Sequence, residues 1–350
     1  MKVIVISNGL NEGGTERVSS ILASELSKRG HEVIFIATYS NVKNYCLCEK
    51  VQYKYIDVDR YGKLGKYFNR SIYILNEIKA FKPDCVFSFL VQELLIQSIF
   101  NNKNIVYSER TNPSSELRRI KILKRIVYNS SKAVVFQTKG AREYYGKKIQ
   151  KKGIIIANPM DEDLPQWNID QHEKYIVTAC RISPEKNLEM LLKAFEIFKC
   201  NHNEYKLKIY GAIVDDTYYN KLMTLVEEYG IREYVEFCGF SNNVHKKIIE
   251  GEVFVLTSNF EGLSNSMLEA LCMGIPSICT DCPCGGAAMY IKDEINGFLV
   301  GINDYIGLAN RLKELVDNKE VQRSFSIEAM RLKKELAKDG IIDCWEKILN

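Results

Sequence analysis

Short apolar runs, each followed by a stretch of helical periodicity, recur along the whole chain. The runs are rich in β-branched residues, and they read KVIVIS, HEVIFIA, DCVFSFL, NIVYSER, AVVFQT and GIIIANP in the first half and KYIVTAC, YKLKIYG, YVEFCGF, EVFVLTS and PSICTD in the second. Alternating strand and helix signals predict parallel sheets covered by helices on both faces. The sequence therefore predicts an α/β protein with two doubly wound, Rossmann-like domains.

The domain boundary is predicted in residues 158–174, which read NPMDEDLPQWNIDQHEK. Two prolines, many acids and little apolar periodicity are typical of a linker. We expect domains at 1–165 and 166–337. Open α/β sheets bind ligands beyond the carboxyl ends of their strands, so the loops there, facing each other across a cleft, are expected to carry the chemistry.

Bulk properties exclude several classes of protein. The 350 residues are 46% hydrophobic and 26% charged with a net charge of +4, which points to no nucleic-acid partner. No apolar run approaches the ~18 residues of a membrane span, and the start resembles a strand rather than a signal peptide. We expect a cytoplasmic protein. The eleven cysteines predict no disulfide framework, and Cys279, Cys282 and Cys284 lack the partners of a zinc site.

The stretch Phe260 to Glu269, read as FEGLSNSMLE, carries the strongest chemical signal. It joins a predicted buried strand to a predicted helix, so backbone N–H groups at the helix start point toward a bound phosphate. Glu261 can accept hydrogen bonds from sugar hydroxyls, and Glu269 can reach another part of the same ligand. The alternative is structural: Ser266 and Glu269 form a capping box, and Glu261 is an exposed loop acid.

Two further loops of the second domain offer complementary groups. Arg181 and Lys186 follow the strand KYIVTAC, and two cations at a strand-to-helix junction suit a diphosphate. Gly239 and Phe240 follow another strand, with backbone groups placed to bind a nucleobase. Solvated charges are the alternative for the cations. Together with Glu261 these loops predict a nucleotide-sugar site.

The first domain opens with a glycine-rich loop at its first strand. Gly13 and Gly14 precede a helix, which lets the backbone approach a ligand and exposes N–H groups at the helix start. The loop is neither a G-x-G-x-x-G fingerprint nor a Walker loop. It therefore suits a phosphate without indicating a dinucleotide or a nucleoside triphosphate, and a purely structural turn is the alternative.

These motifs together resemble the family 4 retaining glycosyltransferases of GT-B fold. The resemblance covers most of the chain and is carried by GGTER from Gly13, SER-x-NP from Ser108, Arg181 with Lys186, Glu261-x7-Glu269, and CPCGG before NGFLV. It implies a donor nucleotide-sugar held mainly by the second domain. The implied contacts are Arg181 and Lys186 on the diphosphate, Glu269 on the ribose, Glu261 on the transferred hexose, Leu263, Ser264 and Asn265 along phosphate and sugar, and Gly14 closing from the first domain.

The resemblance also implies an acceptor bound against the first domain and a final helix, 338–350 around Trp345, that packs back onto that domain. Many relatives carry a histidine at the end of a first-domain strand, whereas this chain has Glu109 and Arg110 there. A catalytic role for Glu109 and an acceptor-side role for Arg110 compete with a structural ion pair. A second departure is the loop YGAIVDD, residues 210–216, which lacks a further glycine after Gly211.

The resemblance implies transfer of a hexose or N-acetylhexosamine from a UDP-sugar with retention, and we expect no metal or other cofactor. Arg181, Lys186 and the helix start would stabilise the leaving diphosphate, and the acidic pairs Asp57-x-Asp59 and Asp215-Asp216 are expected to be solvated turns. An epimerase on the same scaffold and a non-catalytic nucleotide-sugar-binding module remain alternatives. A dehydrogenase is disfavoured because no G-x-G-x-x-G follows the first strand.

A basic amphipathic segment in the first domain predicts a membrane contact. Residues 117–132 read LRRIKILKRIVYNSSK, and they place five cations among Ile and Leu: Arg118, Arg119, Lys121, Lys124 and Arg125. Such a pattern can rest on an anionic membrane, although a solvated helix face fits as well. Because similar enzymes often extend polyprenyl-linked saccharides, the resemblance implies a lipid-linked saccharide acceptor of surface polysaccharide synthesis. With this pattern, we expect peripheral binding to the inner face of the cytoplasmic membrane.

Overall fold

The computed structural model describes residues 1–11, 13–58, 60, 62–91, 104–241 and 243–349. The chain forms two compact units. Unit 1 comprises Met1–Pro159 together with Asp339–Asn350, and unit 2 comprises Met160–Lys338. The boundary expected from the sequence lay at 165/166, a few residues beyond this division.

Unit 1 is built on a seven-stranded parallel sheet with the order β3-β2-β1-β4-β5-β6-β7. Its strands are β1 (Lys2–Ser7), β2 (Glu32–Ala37), β3 (Gln52–Tyr55), β4 (Cys85–Ser88), β5 (Ile105–Glu109), β6 (Ala133–Phe136) and β7 (Gly153–Ile155). Val3 is paired with Val33 on one side and Cys85 on the other. Both faces of β1 are buried, which explains its unbroken apolar run.

The helices of unit 1 include one that returns from the end of the chain. They are α1 (Gly14–Lys28), α2 (Lys63–Phe81), α3 (Arg118–Ser130), α4 (Lys139–Glu143), α5 (Lys147–Lys151) and α13 (Lys338–Glu346). In α13, Trp345 is 1% exposed and packs edge-on against Phe87, with 5.3 Å between ring centroids. Arg29 Nη1 donates to Asp343 Oδ1 at 2.5 Å and to Glu346 Oε2 at 2.8 Å. The packing of Trp345 on Phe87 and the ion pairs of Arg29 thus hold α13 on unit 1.

Unit 2 contains a six-stranded parallel sheet with the order β10-β9-β8-β11-β12-β13. The strands are β8 (Glu173–Ala179), β9 (Lys206–Tyr210), β10 (Val235–Gly239), β11 (Gly251–Leu256), β12 (Ser277–Thr280) and β13 (Phe298–Val300). The helices are α6 (Leu188–Lys199), α7 (Asp216–Glu228), α8 (Val244–Ile248), α9 (Asn265–Met273), α10 (Tyr305–Asp317), α11 (Lys319–Met330) and α12 (Leu332–Glu335). The two parallel sheets confirm the predicted fold class.

The segment expected to be a linker packs on unit 2. Trp167 is 4% exposed, its backbone N–H donates to Met273 O at 2.8 Å, and its indole N–H donates to Gly251 O at 2.9 Å. Met160 N donates to Leu336 O at 2.9 Å. The buried side chain of Trp167 therefore fixes this segment on unit 2, although the composition of the segment predicts that it is exposed.

Two further features bear on the predicted partners. No helix in the described residues is both long enough and apolar enough to span a bilayer. Across the same residues, no group of three or more His, Cys, Asp and Glu side chains is placed to hold a metal ion. Asp59, one member of the acidic pair considered above, lies outside the described residues, and Asp215 Oδ1 caps α7 by accepting from Tyr218 N at 2.9 Å.

Candidate functional site

Loops at the carboxyl edge of the unit 2 sheet are joined to one another by backbone hydrogen bonds. Ile182 N donates to Ala212 O at 2.9 Å, and Gly211 N donates to Gly239 O at 2.8 Å. Gly211 has a φ of +148°, and a Cβ atom there would lie 1.7 Å from Cys180 O. Glycine is therefore required at 211, where it lets the loops after β8 and β9 touch.

The loops after β8 and β11 are tied together in the same way. Asn259 N donates to Glu185 O at 2.8 Å, and Thr257 Oγ1 donates to Lys186 O at 2.9 Å. Asn187, in the left-handed region with a φ of 49°, donates from Nδ2 to Asn259 Oδ1 at 2.9 Å. These bonds fix where the side chains of both loops point.

Their result is a buried ion pair between two of the predicted site residues. Lys186 Nζ contacts Glu261 Oε2, which also accepts from Ser258 Oγ at 3.1 Å. The side chains of Lys186 and Glu261 are 10% and 20% exposed. Burial lowers the pKa of Lys186, but the Glu261 carboxylate outweighs this effect and leaves the pKa above its usual value. The lysine is therefore a fixed cation at neutral pH.

Arg181 stands beside this pair with its side chain exposed. The side chain is 68% exposed, and its Nη2 lies 3.4 Å from Glu185 Oε1. Glu185 accepts from Ser183 Oγ at 2.7 Å. Burial raises the pKa of Glu185, yet this hydrogen bond and the neighbouring cations more than offset it and hold the pKa below its usual value. Arg181 thus remains available to an anion from solvent.

Helix α9 begins at Asn265, four residues after Glu261. Ser264 is its N-cap and accepts from Met267 N at 3.4 Å, while Ser266 Oγ donates to Ala179 O at 2.6 Å. The alternative interpretation of Ser266 and Glu269 as a capping box is wrong, because the N-cap is Ser264 and the Ser266 hydroxyl is bound to the end of β8. Glu269 lies in the second turn and is 3% exposed. Leu263 and Ser264 are buried, and Asn265 opens the helix.

The remaining edge loops offer backbone and aromatic surface. Gly239 has a φ of +72° at the end of β10, and Phe240 after it is 48% exposed. After β12, a Cβ atom on Gly286 would lie 2.1 Å from Gly262 O, so the CPCGG loop packs directly on the Glu261 loop. Cys279, Cys282 and Cys284 are free thiols. Burial raises the pKa of Cys282 to about 12, which keeps this thiol neutral.

The Glu16 carboxylate packs against the glycine loop of unit 1. Gly13 is the N-cap of α1 with a φ of +152°, and a Cβ atom there would lie 2.2 Å from Glu16 Oε2. Glu16 is buried and accepts from Asn8 Nδ2 at 2.9 Å. Gly14 is exposed at the first position of the helix. The structure therefore leaves the backbone of Gly14 open at this edge.

Glu109, at the end of β5, is the centre of a buried polar cluster. Its carboxylate accepts from Lys124 Nζ at 2.7 and 2.8 Å, from Thr111 Oγ1 at 2.8 Å, and from the hydroxyls of Tyr128 and Tyr145 at 3.1 and 2.8 Å. Burial raises the pKa of Glu109, but the Lys124 charge and these hydrogen bonds prevail and lower it. This arrangement favours the structural alternative for Glu109, with Lys124 rather than Arg110 as its partner.

The prediction that Lys124 belongs to the exposed basic set of α3 is wrong. Its side chain is 8% exposed and also lies 2.5 Å from Glu116 Oε1. The two carboxylates draw the ammonium inward. Ile122 and Ile126 are instead 51% exposed and Leu117 is 62% exposed, beside the exposed cations Arg118, Arg119 and Arg125. Lys121 is partly exposed and donates to Ser114 O at 2.6 Å.

Sequence reasoning missed residues that position the predicted ones. Ser258 binds the Glu261 carboxylate, and Asn187 and Thr257 fix the loop that carries Lys186. A detectable signal was the polar triplet Thr257, Ser258 and Asn259 after an apolar strand. Lys124, Tyr128 and Tyr145 gave no such signal, because their common partner Glu109 is distant in sequence.

Two family models match consecutive parts of the chain. The model described as Glycosyltransferase Family 4 matches residues 12–164, and the one described as Glycosyl transferases group 1 matches residues 159–331. The chain belongs to glycosyltransferase family 4. The predicted family is confirmed, and this family 4 glycosyltransferase is an enzyme.

Relatives of this glycosyltransferase match over the full length. A Campylobacter jejuni protein is 28% identical over 100% of this chain and 98% of its own, and it is named GalNAc-alpha-(1->4)-GalNAc-alpha-(1->3)-diNAcBac-PP-undecaprenol alpha-1,4-N-acetyl-D-galactosaminyltransferase. The amylovoran biosynthesis glycosyltransferase AmsD of Erwinia amylovora is 24% identical, over 100% of this chain and 99% of its own. Anabaena HepE, solved in complex with UDP and glucose, has a TM-score of 0.84 at 15% identity and covers 100% of this chain and 99% of its own. The GT-B fold is thereby confirmed.

Proposed function

We propose that this glycosyltransferase moves a hexose or N-acetylhexosamine from a UDP-sugar to a saccharide acceptor with retention of configuration. The observation that carries the proposal is the buried Lys186–Glu261 pair beside the exposed Arg181, at the edge of the unit 2 sheet. In this proposal the two cations bind the diphosphate, and the Glu261 carboxylate binds the sugar. HepE, of similar fold, has been crystallised with UDP-glucose, which supports a UDP-linked donor.

Each donor contact has a physical basis in unit 2. The Arg181 guanidinium binds phosphate oxygens as a fork, whereas the Lys186 ammonium acts as a point charge. The start of α9, at Leu263, Ser264 and Asn265, adds N–H groups and a favourable helix dipole. Glu261 accepts hydrogen bonds from the hexose hydroxyls and Glu269 from the ribose. Gly239 and Phe240 bind the base, Phe240 through its exposed ring. In unit 1, Gly13 and Gly14 at the start of α1 offer backbone N–H groups to a phosphate.

The chemical step follows from where charge develops. As the glycosidic bond to phosphate breaks, negative charge grows on the leaving diphosphate, and Arg181 and Lys186 stabilise it. The acceptor hydroxyl attacks the face from which the phosphate departs, and the phosphate oxygen takes the hydroxyl proton. The reaction so proposed needs neither a metal ion nor a protein general base.

The acceptor is proposed to be a lipid-linked saccharide of surface polysaccharide synthesis, bound by unit 1. The names of the Campylobacter and Erwinia relatives, one with a PP-undecaprenol acceptor and one in amylovoran biosynthesis, support this class of acceptor. On unit 1, α3 presents apolar and basic side chains to solvent, which fits binding to an anionic membrane surface. We therefore place the enzyme on the inner face of the cytoplasmic membrane.

The donor is tested by nucleotide release from UDP-, GDP- and dTDP-sugars, with and without a lipid-linked saccharide extract. Turnover of one UDP-sugar that accelerates with the extract is expected. Arg181→Ala should lower kcat/KM by about 10²- to 10³-fold because a charge on the leaving group is lost. Arg232→Ala is the matched control, since Arg232 is 55% exposed, also lies 3.4 Å from one carboxylate and precedes β10 at the opposite edge.

Two outcomes would contradict the transferase proposal. Tight binding of a UDP-sugar without release under any acceptor condition would favour a binding module. A change of configuration in the bound sugar would favour an epimerase. Equal loss of kcat/KM in Arg181→Ala and Arg232→Ala would remove the special role of Arg181.

Membrane binding is tested by cosedimentation with vesicles of phosphatidylglycerol and of phosphatidylcholine. Leu117→Ser/Ile122→Ser/Ile126→Ser is expected to bind phosphatidylglycerol vesicles at least about tenfold more weakly than wild type, since three aliphatic contacts are lost. The control variant Ile295→Ser/Ile306→Ser/Ile327→Ser changes three comparably exposed side chains of unit 2. Equal binding of both triple variants, or of both vesicle types, would overturn the assignment to α3.

A further inference from the structure

Arg110 follows β5 at the carboxyl edge of the unit 1 sheet and is held entirely by neutral groups. Its Nε donates to Ser108 Oγ at 2.8 Å, and its Nη1 donates to Asn158 Oδ1. The third nitrogen, Nη2, is buried and has no hydrogen-bond partner among the residues that the structure describes. One edge of the guanidinium fork is thus left without an acceptor.

The positive charge of Arg110 also lacks a counter-charge. Within the described part of the chain it makes no ion pair, although Glu109 is its neighbour, because the Glu109 carboxylate is taken by Lys124. Burial lowers the pKa of Arg110 to about 9, so the guanidinium is still protonated at neutral pH. A guanidinium that is held among neutral groups, with one nitrogen shut off from solvent, is unfavourable until an anion joins it.

The aromatic neighbours of Arg110 carry a second unsatisfied donor. The guanidinium carbon lies 5.3 Å from the centroid of the Phe89 ring and 5.8 Å from that of Trp345. The indole Nε1 of Trp345 is buried and likewise finds no hydrogen-bond acceptor in the described part of the chain. Cation–π contacts restrict the orientation of the guanidinium. This side-chain cluster thus contains two N–H donors, Nη2 of Arg110 and Nε1 of Trp345, that could both donate to an added acceptor atom.

We propose that Arg110 and the Trp345 indole N–H form an oxyanion site in unit 1 that binds a phosphate group of the acceptor, an inference that rests on the proposed transferase function. A guanidinium fork matches the oxygens of phosphate. Arg110 lies on unit 1, to which the proposed function assigns the acceptor, and the donor diphosphate has its own exposed cation in unit 2, Arg181. The neutral partners Ser108 and Asn158 orient the fork without cancelling its charge.

Binding at this site should be visible in the fluorescence of Trp345. Nη2 of Arg110 and Nε1 of Trp345 are shielded from solvent, so an incoming oxyanion must displace neighbouring atoms and change the surroundings of the Trp345 ring. The chain has two tryptophans, and the other, Trp167, is buried in unit 2. A Trp167→Phe background therefore makes Trp345 the sole indole reporter.

The experiment titrates Trp167→Phe protein with inorganic pyrophosphate and, separately, with UDP. Pyrophosphate is expected to change the Trp345 emission saturably. Adding Arg110→Gln should weaken the apparent affinity at least tenfold, which corresponds to about 1.4 kcal/mol, and Arg110→Lys should restore part of it. Arg181→Ala, which alters the donor cation, should leave the pyrophosphate response unchanged.

Other results would overturn the proposal. An emission change of equal affinity in Arg110→Gln, or none with pyrophosphate in the parent, would exclude an oxyanion site at Arg110. A response to UDP alone that Arg181→Ala abolishes would assign the phosphate to the donor. These titrations need no turnover, so they decide the site even if nucleotide release fails to support the transferase proposal.

Stability and kinetics separate a binding role from a structural one. Because Arg110 balances no buried charge, Arg110→Gln is expected to keep or raise the Tm, and a markedly lower Tm would mean that the side chain only supports the fold. In steady-state assays the acceptor KM should rise at least tenfold while the donor KM stays unchanged. A rise confined to the donor KM would contradict the acceptor assignment.

Discussion

Replacing Lys186 by Met is expected to abolish sugar transfer and to destabilise unit 2 by about 3–5 kcal/mol, because the buried Glu261 carboxylate would lose its counter-charge. Glu261→Gln should also destabilise unit 2, because the Lys186 ammonium would then lack its counter-charge. The double variant Lys186→Met/Glu261→Gln should recover most of the lost stability, since two neutral side chains no longer require each other. Its transfer activity should remain absent.

This contrast separates the two roles of the pair. Chemical denaturation gives the free energy of unfolding of each variant, the double-mutant cycle gives the coupling, and nucleotide release gives the activity. Lys221→Met is the matched control, since its pair with Glu189 is exposed on the lysine side by 62%. It should change stability far less and leave kcat/KM intact. If the double variant lost as much free energy of unfolding as the two single variants together, the coupling would be refuted. If it turned over substrate at the wild-type rate, the catalytic assignment would be refuted.

Lys124→Met is expected to destabilise unit 1 by about 3–5 kcal/mol, because the buried Glu109 carboxylate would lose its counter-charge. The neighbouring Arg125→Met changes an exposed cation of the same helix and should be nearly neutral. Adding Glu109→Gln to Lys124→Met should restore part of the stability. Urea unfolding of the four proteins tests this, and equal costs for Lys124→Met and Arg125→Met would contradict a buried pair.

The pH dependence of unfolding provides a second readout for the same cluster. The folded pKa of Glu109 lies below its usual value of 4.5, so its contribution to stability is complete above that value and is lost as the pH falls through the folded pKa. In Lys124→Met the charged carboxylate has no cation, and its folded pKa should rise. Stability of that variant should therefore increase on mild acidification, where wild type does not gain.

The sequence predicted those parts of the fold and site that depend on local pattern. Unbroken apolar runs such as that of β1 identified the parallel strands, since a strand buried on both faces has no polar side. Glu261 and Lys186 were recognised from loops at strand ends. Their contact was not, because it joins residues 75 positions apart and depends on Asn187 and Asn259 stitching two loops together.

Helix α3 shows where pattern reasoning fails. Its pattern predicts that Lys124 lies with the other cations on an exposed basic surface, yet Lys124 is buried, while Ile122 and Ile126 are exposed. The cause is tertiary: Glu109 offers a buried carboxylate that only a long cation on this helix can neutralise. An exposed aliphatic face is then left over, which a single-sequence pattern cannot distinguish from a buried one.

The return of α13 to unit 1 imposes an order on biosynthesis. Trp345 fills a place beside Phe87 in the core of unit 1, but it is translated after the whole of unit 2. At typical elongation rates, roughly 180 intervening residues delay it by about 10–40 s. During that interval the nascent first unit lacks the Trp345 ring that packs against Phe87, so ribosome-associated chaperones should engage this chain until α13 emerges.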